Sequence, residues 1–247
     1  MIDVRNLTVR FPGRAENVLD KVNLAFPSGS KTALMGANGS GKSTLAQCMN
    51  GLLQPAEGEV AVDGMSTSDH SSIPAIRKIV GLVFQNPRFQ MTSLTVEREV
   101  AFGMQNLGLP HDEISDRVES ALREVHLEEK RNLSPRSLSA GEQQRLALAS
   151  IVALRPGFLI LDEPTSLLSP HYRAALLETV RRENEARGMG FLLITQIPGE
   201  ALSADRLIVL VAGSVVADLP PHEAFRRLED FDRWGIDVPL RYRVGAL

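Results

Sequence analysis

The sequence predicts an α/β fold built on a mostly parallel sheet, and three observations carry that expectation. Continuous apolar runs such as Phe158-Leu159-Ile160-Leu161 read as strands buried on both faces. Segments with apolar residues at three- and four-residue spacing lie between such runs, as crossover helices between parallel strands do. Residues 31–35 form a short strand that runs into a glycine cluster, and a helical pattern follows at once.

Taken in order, residues 2–11 alternate apolar and polar side chains for most of their length, the pattern of a half-buried strand. Residues 22–26 alternate again. After the glycine cluster, 44–52 reads as a helix, and 60–62 and 79–84 read as strands. The middle is helical: 96–107 and 111–129 are separated by Gly108-Leu109-Pro110, and 141–154 is halted by Arg155-Pro156-Gly157. Strand 158–161, helix 170–187 and strands 191–195 and 207–211 complete the alternation. From Pro220 the chain reads as a short helical appendage.

Composition narrows the function. The 247 residues are 43% hydrophobic and 23% charged, which argues against wholesale disorder. With 27 basic against 30 acidic residues, there is no electrostatic case for nucleic acid as a partner. The single cysteine, Cys48, excludes an intramolecular disulfide and a cysteine-based zinc cluster, and fits a reducing compartment. The longest apolar run, 207–212, falls far short of the roughly 20 residues that span a bilayer. The first residues also lack the basic start and apolar stretch of a signal peptide. A cytosolic protein is expected, one able to dock on a membrane protein.

The first chemical motif is Gly36-Ala37-Asn38-Gly39-Ser40-Gly41-Lys42-Ser43-Thr44, which satisfies GxxxxGK[ST] between a strand and a helix. Glycines let the backbone wrap a phosphate, consecutive N–H groups make an anion nest, and the helix N-terminus adds positive potential. Lys42 would reach the β- and γ-phosphates, and the Ser43 hydroxyl would ligate Mg²⁺. The plain alternative is a glycine-rich turn before a helix; the strand and helix around it favour nucleotide binding.

The buried strand 158–161 leads straight into Asp162-Glu163. Asp162 would hold Mg²⁺, and Glu163 would orient and deprotonate an attacking water. Standing alone, the pair could equally be an acidic helix cap. It is preceded by Leu138-Ser139-Ala140-Gly141-Glu142-Gln143-Gln144-Arg145, which resembles the LSGGQ-type signature of ABC ATPases.

The resemblance covers nearly the whole chain, through Phe11, Lys42, Gln85, Ser139, Asp162 and Glu163 in that order. It implies a P-loop NTPase fold with an N-terminal antiparallel β subdomain, a central mostly parallel sheet and a helical signature subdomain. The cassette would span 1–219, its helical part about 87–155, with 220–247 as the appendage. It also implies that Phe11 stacks on adenine, though a core position at a strand end is as good a reading. Gln85 becomes a Mg²⁺ ligand and a hinge toward the transport partner. Ser139, Gly141 and Glu142 would face the ATP held by a second ATPase subunit, packed head to tail.

The likeness sharpens over Val80-Gly81-Leu82-Val83-Phe84-Gln85-Asn86-Pro87, Gln90, Thr95-Val96-Glu97, Val100-Ala101-Phe102-Gly103 and Asn106-Leu107-Gly108-Leu109. With the tail Gly235-Ile236-Asp237-Val238-Pro239, these resemble the ATPase component of energy-coupling factor (ECF) transporters, importers of vitamins or cobalt and nickel ions. The implied partners are an integral membrane coupling component and a substrate-binding membrane component, with this chain peripheral on the cytoplasmic face. Phe89-Gln90-Met91 would offer the coupling helix an apolar, adaptable surface.

Three departures from the pattern stand out. Gln196 occupies the place of the switch histidine, and an amide donates hydrogen bonds but relays no proton. Ser169 stands where an aspartate is common, and Ala140 and Glu142 replace glycine and glutamine in the signature. An ATPase that binds ATP well but turns over slowly by itself is expected, paired with a non-identical partner. The alternatives are a degenerate scaffold subunit that mainly binds ATP, or the ATPase of another ABC import family. The histidines show no ligand spacing, Cys48 reads as core, Glu128-Glu129-Lys130-Arg131 reads as a solvated helix end, and Trp234 either caps the domain or meets a partner.

Overall fold

The computed structural model describes residues 1–13 and 16–244; the last three positions of the expected appendage lie outside the described residues. Strands β1 (Ile2–Val9), β2 (Leu19–Phe26), β4 (Glu57–Val62) and β5 (Met65–Ser66) form an antiparallel sheet in the order β2-β1-β4-β5. Between them run β3 (Lys31–Met35) and helix α1 (Lys42–Met49). Alternation drives the first sheet: Ile2, Val4 and Leu7 of β1 and Val22, Leu24 and Phe26 of β2 turn inward together.

The second sheet takes β6 (Val80–Val83), β7 (Phe158–Asp162), β8 (Gly190–Ile194), β9 (Arg206–Val211) and β10 (Ser214–Leu219), in the order β10-β9-β3-β8-β7-β6. All its pairings are parallel except the β9–β10 hairpin. That hairpin turns on Ala212-Gly213, both with positive φ; β10 escapes sequence reading because Val215-Val216-Ala217 do not alternate with polar residues and only Ala217 of the strand is buried.

Helices complete the layers: α2 (Ile73–Ile79), α3 (Val96–Asn106), α4 (His111–Glu124), α5 (Ala140–Val152) and α6 (Pro170–Arg187), then α7 (Pro198–Ala201), α8 (Pro221–Ala224), α9 (Leu228–Trp234) and α10 (Leu240–Val244). Several element boundaries shift by a few residues from expectation, and two of the shifts have a plain cause. The apolar Ile79 closes α2 rather than opening the strand. Helix α4 stops five residues early because His126 adopts a left-handed conformation (φ 55°), which tucks Leu127 into the helical cluster.

Among the described residues, four apolar clusters hold the layers together. One joins the two sheets through α1, and it contains Cys48. A second unites α3, α4 and α5; a third packs α5 and α6 on β7 and β8. The fourth seats Phe225, Phe231, Ile236 and Val238 on β3 and β9, with Trp234 half-buried beside them, so Trp234 caps the fold.

Candidate active site

Strands β3, β8, β7 and β6 lie side by side, and at their carboxyl ends each leads to a candidate residue. Parallel α/β sheets bind ligands at this edge. β3 enters the glycine loop, β8 leads through Thr195 to Gln196, β7 ends beside Glu163 and β6 leads to Gln85. The side chains connect in the same order. Gln196 Nε2 donates to Asn38 Oδ1 at 2.8 Å and to Glu163 Oε1 at 2.6 Å. Gln85 Nε2 donates to Glu163 Oε2 at 2.9 Å. Each oxygen of Glu163 therefore accepts from a neutral amide.

The backbone aims this carboxylate. Glu163 has φ 47°, a left-handed conformation that costs a non-glycine residue roughly 1–3 kcal/mol. It is held by its N–H donating to the Ile194 carbonyl at 3.0 Å and by the Ser166 hydroxyl donating to its own carbonyl at 3.0 Å. No sequence pattern announces this twist.

In the glycine loop, Lys42 is buried and its Nζ donates to the carbonyls of Gly36 at 2.8 Å and Ala37 at 2.9 Å. Burial lowers its ammonium from the ordinary lysine value, and the carboxylates of Glu163 and Asp162 pull it back up. Gly41 is required twice over: its φ is 104°, and a Cβ there would lie 2.7 Å from the Val18 carbonyl. A cavity of ≈ 420 Å³ opens in front, lined by Phe11, Val18, Asn38, Gly39, Gly41, Lys42, Ser43, Thr44, Gln85 and Glu163. Phe11, 36% exposed, belongs to its wall and not to the core. Gly36 and Ser40 lie buried behind the loop surface.

Asp162 is 6% exposed, and burial raises its carboxyl from the ordinary value while the Ser43 hydroxyl bond lowers it. A divalent cation would compensate that buried charge. Asp162, the Ser43 hydroxyl and the Gln85 amide carbonyl are hard oxygen donors, which fits Mg²⁺.

The signature residues lie elsewhere. Ser139, Gly141 and Glu142 are not among the described residues lining this cavity. They start α5, where the Ser139 hydroxyl accepts from the Glu142 N–H at 3.4 Å and the Ser139 N–H donates to Glu142 Oε2 at 3.0 Å, a capping box. A Cβ on Gly141 would come within 3.3 Å of the Leu167 carbonyl, so the signature abuts the segment preceding α6.

Lys130 Nζ reaches Glu142 Oε1 at 2.5 Å. The 128–131 charge run is thus tied to the signature and is not simply a solvated end. That bond first, then the Ser139 groups, hold the Glu142 carboxyl down at about 2 against burial. A depressed folded value contributes stability above the unfolded value of about 4.3, lost as pH falls toward 2. Glu142→Ala should therefore cost about 1–2 kcal/mol at pH 7. The cost should shrink below pH 4.5, as denaturant melts at several pH values would record.

Beyond the nucleotide cavity, Phe89 is 79% exposed beside a second cavity of ≈ 350 Å³ lined by Arg88, Met91, Arg136 and Gln143. Gln90 departs from its expected surface role. Its amide turns inward, accepting from the Phe84 N–H at 2.9 Å and donating to the Leu82 carbonyl at 3.0 Å, so it pins the loop after β6.

A family model described as ABC transporter matches residues 19–166. The chain is 43% identical over 242 residues to the energy-coupling factor transporter ATP-binding protein EcfA1 of Clostridium novyi (strain NT), covering 97% of this chain and 86% of that protein. Among solved structures, it is similar to the dimeric ATP-binding cassette MJ0796 in a post-hydrolysis state bound to ADP and phosphate. That match has a TM-score of 0.83 and 28% identity over 90% of this chain and 99% of the other. It is also similar to cbiO1 of Clostridium perfringens, part of the ABC transporter complex cbiONQ, with a TM-score of 0.81 and 29% identity over 100% and 98% of the two chains.

Proposed function

Because the chain belongs to the ABC transporter family, and within it to the energy-coupling factor ATP-binding proteins, we propose that it binds and hydrolyses ATP to energise micronutrient uptake through a membrane partner. The micronutrient would be a vitamin or a transition-metal ion. The observation that carries the hydrolytic part is the line Asn38–Gln196–Glu163–Gln85 across the strand ends, facing the Lys42 loop.

In this reading the loop 36–44 wraps the phosphates, and Lys42 leaves the Gly36 and Ala37 carbonyls to meet the β- and γ-phosphates. Phe11 stacks on the adenine from the cavity wall. Ser43, Asp162 and Gln85 would hold Mg²⁺, which supplies charge neutralisation for the phosphates when bound. Glu163 orients a water toward the γ-phosphorus and accepts its proton as the bond to the leaving ADP breaks.

The signature supplies Ser139, Gly141 and Glu142 to nucleotide on a second ATPase. Because these residues lie off their own cavity, two chains facing head to tail would complete each site. A non-identical second ATPase suits the substitutions. With Gln196 on one half of each composite site and Ala140, Glu142 and Ser169 on the other, a homodimer would carry both sets twice. The helical region of about 87–155, with exposed Phe89 beside the Arg88 and Met91 cavity, would receive the coupling component of the membrane on its cytoplasmic face. A substrate-binding membrane component would select the cargo. Among the described residues no helix is long and apolar enough to cross a membrane, which leaves the pore to those partners.

Pull-down of the tagged chain from its native membranes tests the assembly. A membrane component and a second, different ATPase should co-purify in equal amounts; recovery without any membrane protein would contradict the proposal.

A further inference from the structure

Outside the nucleotide cavity, the buried carboxylate of Glu200 has no part in the chemistry above. Glu200 of α7 is 4% exposed; one of its oxygens is hydrogen-bonded, and the other meets only an ion-pair partner without a hydrogen bond. Oε2 accepts from the Thr195 hydroxyl at 2.5 Å, and Oε1 lies 3.5 Å from Arg173 Nε in α6. The Thr195 oxygen in turn accepts from the Ile197 N–H at 3.0 Å. Gln196 sits between the two residues that this arrangement fixes, so its backbone is gripped on both sides while its side chain donates to Glu163.

The other end of the strut is equally pointed. Arg173 lies on the first turn of α6, its N–H bonded to the Ser169 carbonyl at 2.9 Å. The preceding segment carries the Leu167 carbonyl that abuts Gly141. Tyr172 of the same turn stacks under Arg145 of the signature helix, with 4.1 Å from guanidinium to ring centroid, and Arg145 lies 3.9 Å from Glu142. One helical turn therefore touches the signature on one side and the switch on the other.

We propose that Arg173 is a positioning residue for ATP hydrolysis: through Glu200 and Thr195 it sets the Gln196 backbone, and so the amide that Glu163 accepts. A shift of the 165–169 segment, on the face that would meet the second ATPase, is passed to the switch along this strut. An ion pair that merely fastened α6 to α7 would act on stability alone, because removing Arg173 leaves the buried Glu200 charge uncompensated.

The proposal rests on Glu163 as the hydrolytic base, and the test separates the two. Hydrogen exchange is followed in the nucleotide-free full-length chain for wild type, Arg173→Met and Arg173→Lys. The Ile197 amide should exchange about tenfold faster in Arg173→Met and return toward wild type in Arg173→Lys, while β7 and β8 amides keep their protection. In the purified transporter, Arg173→Met should lower kcat about tenfold at unchanged KM. In a Gln196→Ala background it should lower kcat no further, since coupled residues are not additive. Unchanged exchange at Ile197, a parallel loss of protection in β7 and β8, or a multiplying kcat loss in the Gln196→Ala background would each overturn the strut. Should Glu163→Gln leave turnover intact, the base assignment falls instead, and the Ile197 exchange still judges the strut.

Discussion

Glu163→Gln should lower ATP turnover about 10²–10⁴-fold while leaving ATP affinity near that of wild type. The substitution is nearly isosteric, so the loss isolates the proton acceptor. It also inverts a hydrogen bond. Both Glu163 oxygens accept from amide nitrogens, of Gln196 at 2.6 Å and of Gln85 at 2.9 Å. A glutamine would place its own NH₂ against one of these donors, and that neighbour must turn its amide over. Single-turnover hydrolysis with equilibrium ATP binding separates the effects: a rate within a few-fold of wild type would remove Glu163 from the role of base.

Lys42→Ala should act on the other quantity. Its ammonium is buried and already satisfies two loop carbonyls, at 2.8 and 2.9 Å, before any phosphate arrives. Loss of a charge-assisted bond to phosphate costs about 1.5–3 kcal/mol, or roughly 10- to 150-fold in affinity. The alanine variant also leaves the Gly36 and Ala37 carbonyls without their donor, so the empty loop should loosen. Titration with ATP should show the weakened binding; an unchanged dissociation constant would exclude Lys42 from phosphate contact.

The residue types that carry this chemistry were legible because their motifs are local. The run 36–44 states its own loop geometry, and a buried strand closing on Asp162-Glu163 states its own edge. What lay beyond sequence reading depends on which strands become neighbours. That Gln196 falls between Asn38 and Glu163 follows from β8 lying between β3 and β7, a non-local pairing that no window of sequence contains. The left-handed backbone at Glu163 and the inward turn of Gln90 have the same origin. A mixed charge run such as 128–131 reads as solvent-facing, and its pattern alone does not mark Lys130. The spacing of Ser139 and Glu142 already announces a capping box, and a capped carboxylate of that kind invites a basic neighbour.

The same strand order explains why a glutamine at position 196 matters more than its size suggests. An imidazole there would sit against the same carboxylate and could change its charge near neutral pH, with an unperturbed value of about 6.5. The Gln196 amide clamps Glu163 to Asn38 and contributes no proton exchange. In the proposed function, a subunit built this way would hold ATP and turn it over slowly, leaving the faster site to its partner. The direct test is the ATP turnover of the purified transporter carrying Gln196→His in this chain. A rise of about tenfold or more over wild type is predicted, within the range that a positioned acid or base supplies. A rate equal to wild type or lower would contradict the account.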